Sequence, residues 1–217
     1  MNTLHPLTSP SNPEPLSGPL SLISDPVTQA LNWSLFLQRR LSARPELLAQ
    51  WQEDIQAEVN PQRILSWFEQ LGGSLTAMPP AESSDCRRQV RQLRQRIFST
   101  LLIRDIAGLA SLEEVTQSMS FLADLVIQAA YRSVMHTLVE AHGAPLDPIT
   151  GLPMEMIVLG MGKLGGEELN VSSDIDLIML YGDEGETQGR RPLSYHEFYG
   201  RLTQRMMPII SDPDADG

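Results

Sequence analysis

Cysteine is almost absent: Cys86 is the only one, so no internal disulfide can form, and a free thiol suits a reducing compartment. Basic charge is scarce as well, with 16 lysines and arginines against 27 aspartates and glutamates and a net charge of -11. Proteins that grip nucleic acid carry a basic excess, so no nucleic-acid partner is expected. No apolar run approaches the ~20 residues of a membrane-spanning helix, and the N-terminus lacks the basic stretch and apolar core of a secretory signal. A cytoplasmic protein without a membrane partner is the expectation. What the 217 residues do have is a hydrophobic content of 41%, enough to fill a core.

Proline and glycine divide the chain. Pro6, Pro10, Pro13, Pro15 and Pro19, set among serine, threonine and asparagine, predict a disordered Pro/Ser-rich tail over 1–25. Helix signals fill 26–143. Asp25-Pro26, Arg44-Pro45 and Asn60-Pro61 each put proline where a first helical turn tolerates it. In "NPQRILSWFEQLGG", Asn60 caps a helix, Ile64, Leu65, Phe68 and Leu71 share a face, and Gly72 ends it. Val90, Leu93, Ile97 and Leu101 form the apolar stripe of a helix from about Ser84 to Ile106, with Arg87, Arg91 and Arg94 reading as its wet side. Ser111 and Glu114 make a capping box for the next helix, which continues through Leu122, Leu125, Val126, Ala129 and Leu138 to Gly143. Pro145, Pro148, Gly151 and Pro153 then break the helical pattern, and a second module occupies 154–217. There "MEMIVLG" reads as a buried strand, "SDIDLIMLY" as another, and "SYHEFYGRLTQRMMPII" as a helix opened by Ser194 and Glu197.

The chemistry concentrates in "GMGKLGGEELNVSSDIDL", from Gly160 to Leu177. Gly160, Gly162 and Gly165 formally satisfy the dinucleotide-binding fingerprint G-x-G-x-x-G. That fold needs a crossover of a dozen or more residues to a parallel strand, and "GEELNVSS" is too short and too polar to supply it. The ATPase P-loop fails as well, because Leu164 follows Lys163 where serine or threonine is required, and Ile157 stands where glycine is.

A third reading uses both halves of the segment. Side chains alternate along a strand, so Asp174 and Asp176 share a face roughly 6 to 7 Å apart while Ile175 and Leu177 point inward. Two such carboxylates repel unless a divalent cation lies between them, and magnesium prefers hard oxygen ligands together with nucleotide phosphates. Backbone N–H groups around Gly162, Lys163 and Gly165 would cradle the phosphate, with the Lys163 ammonium as a point charge. The combination fits phosphoryl or nucleotidyl transfer. The plain alternative for D-x-D is a solvated strand edge, which the apolar "LIML" that follows argues against. For the protein as a whole the rival is a non-catalytic nucleotide-sensing or interaction module with a degenerate lobe. His136, His142 and His196 lack a second ligand at metal spacing and read as surface or half-buried residues. Asn170-Val171-Ser172 matches the N-glycosylation pattern by chance.

The stretch "VLGMGKLGGEELNVSSDIDLIMLY" resembles the signature of the glutamine synthetase adenylyltransferase family, and "RDIAGLASLEEVTQSMSFLAD" is similar to the helical stretch that precedes it there. The resemblance implies an α+β chain: an N-terminal helical bundle followed by a truncated nucleotidyltransferase domain of polymerase-beta type with a short mixed sheet. It implies metal ligands at Asp174 and Asp176, and phosphate contacts at Gly160, Gly162, Lys163 and Gly165, with Ser173 beside them. It also implies Mg2+ and ATP or ADP at the site, and glutamine synthetase and the PII signal protein as partners. The N-terminal half of that family removes AMP from a tyrosine of glutamine synthetase with inorganic phosphate, giving ADP, and the other half attaches AMP from ATP. The family places a third carboxylate in a D-x-R-L-R-P stretch after the last helix. No such stretch precedes Gly217, so the chain is expected to be an N-terminal fragment, inactive by itself.

Overall fold

The structure is a computed structural model that describes residues 25–211 apart from Pro79 and Ala81. The expected tail therefore lies, but for Asp25, outside the described residues. Eight helices and two strands follow in order among the described residues: α1 (Pro26–Trp33), α2 (Leu35–Ala43), α3 (Leu47–Asp54), α4 (Pro61–Gln70), α5 (Ser83–Ile106), α6 (Leu112–His142), β1 (Ile157–Gly160), α7 (Gly162–Gly165), β2 (Leu177–Leu180) and α8 (Tyr195–Ser211). The class is α+β. None of these helices is long and apolar enough to cross a membrane.

Local chemistry starts several helices. The Asp25 carboxylate accepts from the Thr28 N–H at 3.1 Å. Asn60 and Ser111 accept likewise from Arg63 and Glu114 at 3.0 Å, and Ser194 from Glu197 at 3.2 Å. A neutral or acidic oxygen there satisfies an N–H that has no intrahelical partner. Gly72, with φ +80°, supplies the left-handed residue just past α4.

Half of the expected capping box is absent. Glu114 does not reach back to Ser111; its buried carboxylate takes a two-pronged grip from Arg104, Nε to Oε1 at 2.7 Å and Nη2 to Oε2 at 2.9 Å. The same carboxylate accepts the Val59 N–H at 2.9 Å, and Arg104 also donates to the carbonyls of Ile55 and Leu109. Burial decides this outcome, since a guanidinium without water must find a carboxylate, whereas the Ser111 N–H can be solvated. A second buried carboxylate, Asp54, receives Nε and Nη2 of Arg96 at 2.8 Å each. Arg63 and Arg96 lie over the Trp67 ring, 4.6 and 4.3 Å from its centroid.

Ile64, Trp67 and Phe68 of α4, the stripe of α5 and the predicted residues of α6 are buried in one cluster, which continues into Met156, Leu164 and Leu169 and into Phe198, Leu202 and Met206 of α8. The helical segment and the strands thus share a core. Val27, Ala30, Leu37, Trp51, Ile55 and Ile103 form a smaller cluster of their own. Cys86 is buried in the larger one, where desolvation pushes its thiol up to about 11 and keeps it protonated and unreactive.

Three tyrosines fix the irregular link between α6 and β1. Tyr195 both donates to and accepts from the Leu146 backbone at 2.9 Å. Tyr199 donates to the Met154 carbonyl at 2.6 Å, and Tyr131 accepts the Met156 N–H at 3.1 Å. β1 and β2 then pair antiparallel, Ile157 with Leu180 and Gly160 with Leu177. The sheet is antiparallel and not mixed, and its pairing excludes the parallel unit of a dinucleotide-binding fold. Nor is β1 a buried strand. Val158 packs inward, but Ile157 and Leu159 are exposed together with Ile178 and Leu180 opposite them, because among the described residues helices cover only one face of the sheet.

Replacing Glu114 by alanine leaves the Arg104 charge buried and uncompensated. Urea unfolding followed by helical circular dichroism should register a loss of about 3–5 kcal/mol. Replacing Glu197, whose bridge to Arg201 at 2.7 Å is solvent-exposed, should cost less than about 0.5 kcal/mol in the same assay.

Candidate functional site

β1 ends at Gly160, and the chain turns through Met161 into the single turn of α7. The turn is tight enough to demand glycine. A Cβ on Gly165 would sit 2.6 Å from the Gly160 carbonyl oxygen, and Gly162 has φ +54°, a conformation that side chains resist. The Gly165 N–H donates to the Met161 carbonyl at 3.2 Å, so what this position contributes is the missing side chain. No backbone hydrogen bond among the described residues uses the N–H groups of Gly162 and Lys163, which remain for an anion.

The aspartates precede β2 instead of lying within it. β2 begins at Leu177 because its partner ends at Gly160, where the chain turns away. One further bond, from the Met161 N–H to the Asp176 carbonyl at 2.9 Å, ties the glycine turn to the aspartate segment. The alternation expected of a strand still holds: Asp174 and Asp176 are exposed, and Ile175 and Leu177 are half-buried against the core. Neither carboxylate has a hydrogen bond or ion pair among the described residues, so two hard oxygen donors on one side of the chain are free to share a cation.

Lys163 joins the two halves, its Nζ donating to the Ser173 hydroxyl at 3.2 Å. Gly162, Lys163, Ser173, Asp174 and Asp176 are thus brought together, while Gly160 and Gly165 shape the turn beneath them. Beside the aspartate segment a cleft of about 810 Å³ opens among α2, α5, α6 and α8, lined by Arg91, Ser173, Asp174, Leu177 and Met207 among others. Arg87 and Arg91 are exposed as the wet-side reading expects. Arg94 is not: it is half-buried and donates to the Ile210 carbonyl, because the end of α8 packs against α5 there. His142 is also more enclosed than expected, with Nδ1 2.7 Å from the Arg191 carbonyl oxygen. His136 is half-buried and His196 exposed. Sequence reasoning passed over Asn170, whose side chain organises the turn before Asp174; the Asn-x-Ser-Ser spacing typical of an Asx turn was the available signal.

Residues 25–217 match the protein family described as glutamate-ammonia ligase adenylyltransferase. Among curated proteins the chain is similar to the bifunctional glutamine synthetase adenylyltransferase/adenylyl-removing enzyme of Bordetella pertussis, 52% identical over 193 residues, which is 88% of this chain and 20% of that protein. The protein of the same name from Ralstonia nicotianae is 41% identical over 190 residues, covering 87% of this chain and 20% of its own length. That from Aromatoleum aromaticum is 38% identical over 205 residues, covering 93% and 21%. The chain spans about a fifth of the length of these curated relatives.

The same chemical change should have opposite signs at two glycines. Gly165→Ala forces a methyl group against the Gly160 carbonyl and should lower stability by about 1–3 kcal/mol. Gly200→Ala, inside α8 with nothing within 4 Å of the new methyl, should raise it by about 0.5–1 kcal/mol. Thermal melts of the two variants check both signs.

Proposed function

The chain belongs to the glutamate-ammonia ligase adenylyltransferase family, and from that premise we propose that residues 154–217 form part of a nucleotidyltransferase lobe of polymerase-beta type, with 26–143 as its helical support. The observation that carries the reading is the Met161 to Asp176 bond, which holds the glycine turn against two carboxylates that are unpaired among the described residues. Asp174 and Asp176 would hold Mg2+, and the fit rests on their donor chemistry: hard oxygens, both exposed, neither engaged among the described residues. When bound, the metal draws charge from the phosphoryl oxygens and orients them. The free N–H groups of Gly162 and Lys163 and the Lys163 ammonium bind the phosphate oxygens from the side of the turn. By family resemblance a third carboxylate arrives on a further strand. The edge of β2 that carries no partner among the described residues, beside the 810 Å³ cleft, is where that strand would add.

The reaction this half supports is removal of AMP from an adenylyl-tyrosine of glutamine synthetase. An oxygen of inorganic phosphate forms a bond to the AMP phosphorus, the bond to the tyrosine oxygen breaks, ADP departs, and the phenol regains a proton from the attacking phosphate. The relatives' names support the pairing of an adenylyl-removing activity with an adenylyltransferase in one protein. The choice of direction for this half rests on family resemblance, as does regulation by the PII signal protein. Positioning and charge neutralisation carry the chemistry, and no side chain forms a covalent bond.

Isothermal titration of this chain with ADP should show binding that depends on Mg2+. Losing even an indirect partner of a bound metal costs about 10 to 100-fold in affinity, so Asp174→Asn and Asp176→Asn should each cost at least that with unchanged circular dichroism. Binding that ignores both substitutions would overturn the assignment. In a full-length relative the same substitutions should abolish the removal of AMP, whereas a nucleotide-sensing module would keep its role.

A further inference from the structure

We propose that Asn170 is a positioning residue that acts through Ser173 to aim Lys163, the only lysine in the chain, at the phosphate site. The inference rests on the nucleotide-site reading above and names a residue that it does not use.

Asn170 Oδ1 accepts three hydrogen bonds, from the Ser172 N–H at 3.0 Å, the Ser172 hydroxyl at 3.0 Å and the Ser173 hydroxyl at 2.9 Å. Its own N–H donates to Ser173 Oγ at 3.3 Å. A serine hydroxyl has one proton and two lone pairs. At Ser173 the proton goes to Asn170 Oδ1, one lone pair receives the Asn170 N–H, and the other receives Lys163 Nζ at 3.2 Å. The hydroxyl is therefore saturated. It has no proton left for a phosphate oxygen, and its part is to orient the ammonium.

The relay is anchored from behind. Leu169 is buried, and its N–H donates to the buried Ser120 hydroxyl of α6 at 3.3 Å. The connection thus runs from the helical core through Leu169, Asn170 and Ser173 to Lys163. A lysine side chain has four rotatable bonds and loses up to about 2 kcal/mol of conformational entropy on being fixed, so an exposed Lys163 profits from having one rotamer selected before an anion arrives. With Asn170 replaced, the Ser173 hydroxyl is free to turn its proton toward solvent or Asp174, and the lysine loses a directed acceptor.

Two measurements test this, one of them independent of nucleotide. Reductive 13C-methylation labels Lys163 and the α-amine alone, so the protein has one dimethyl-lysine NMR signal. In the unsubstituted protein it should lie away from the position of a free, exposed lysine. Asn170→Ala and Ser173→Ala should both move it there, and Asn170→Asp, which keeps an acceptor oxygen, should not. A signal already at the free position, or one that Asn170→Ala leaves in place with the fold intact, refutes the relay even where ADP fails to bind. Failure of ADP binding together with a displaced signal refutes the nucleotide reading instead. The second measurement is a double-mutant cycle with Mg-ADP. Asn170→Ala should weaken binding about tenfold when Lys163 is present and less than about twofold in the Lys163→Met background. An equal loss in both backgrounds would assign Asn170 a purely structural role.

Discussion

The constraint on which the structure depends is the burial of Arg104 against Glu114. A guanidinium out of water must have its donors met, and here they go to the Glu114 carboxylate and to the carbonyls of Ile55 and Leu109. Glu114 in turn holds the Val59 N–H, and the Ser118 hydroxyl donates to the Val59 carbonyl at 2.8 Å. One ion pair thereby fixes the end of α5, the start of α6 and the link from α3 to α4. Such a pair adds little net stability over apolar residues of the same volume, since desolvation offsets its attraction. It does penalise any packing of these three segments that buries Arg104 or Glu114 without the other, because a charge is then left uncompensated.

With its first turn pinned, α6 becomes the platform on which the site is built. Leu122 and Val126 line the cleft beside β2, Ser120 holds Leu169, and Tyr131 holds the Met156 N–H one residue before β1. The two-stranded sheet is too small to be stable in water by itself and borrows its order from α6 and α8. Its outer face keeps Ile157, Leu159, Ile178 and Leu180 exposed, in the same alternating row as Asp174 and Asp176. The candidate site thus stands at the end of an exposed apolar strip.

What the sequence made legible was chemistry that acts over three or four residues. Asn60, Ser111 and Ser194 cap helices through bonds to the third residue on, and composition alone carries that signal. The aspartate pair and the glycine turn were legible for the same reason, as was the shortness of "GEELNVSS", which ruled out a crossover; the sheet expected was mixed, and the pair is antiparallel. Distant partners were not legible. Glu114 read as the far end of a capping box because nothing in the adjoining residues announces Arg104 and Val59 as competitors for its oxygens. Arg94 read as solvated because its acceptor, the Ile210 carbonyl, lies 116 residues away. The strand limits failed similarly: the apolar alternation runs on from Ile175, but pairing stops where Gly160 turns the partner chain aside.

The charge balance explains why the site is built from backbone and from one lysine. Apart from Mg2+, the proposed ligands are anionic, and the chain carries a net charge of -11. Long-range attraction therefore cannot gather phosphate. At physiological ionic strength, charges farther off than about 8 Å are largely screened, so the nearest groups decide. Close to the turn these are the N–H dipoles of Gly162 and Lys163, the Lys163 ammonium and the Asp174 and Asp176 carboxylates, with the exposed Glu167 and Glu168 just past α7. The carboxylates alone would repel a phosphate, and only a divalent cation between them reverses that sign. On the proposed reading the empty aspartate pair would be a barrier to the anion, and a cation held there would remove it. A lysine kept in one rotamer, as proposed for Lys163, would lower the same barrier from the side of the turn.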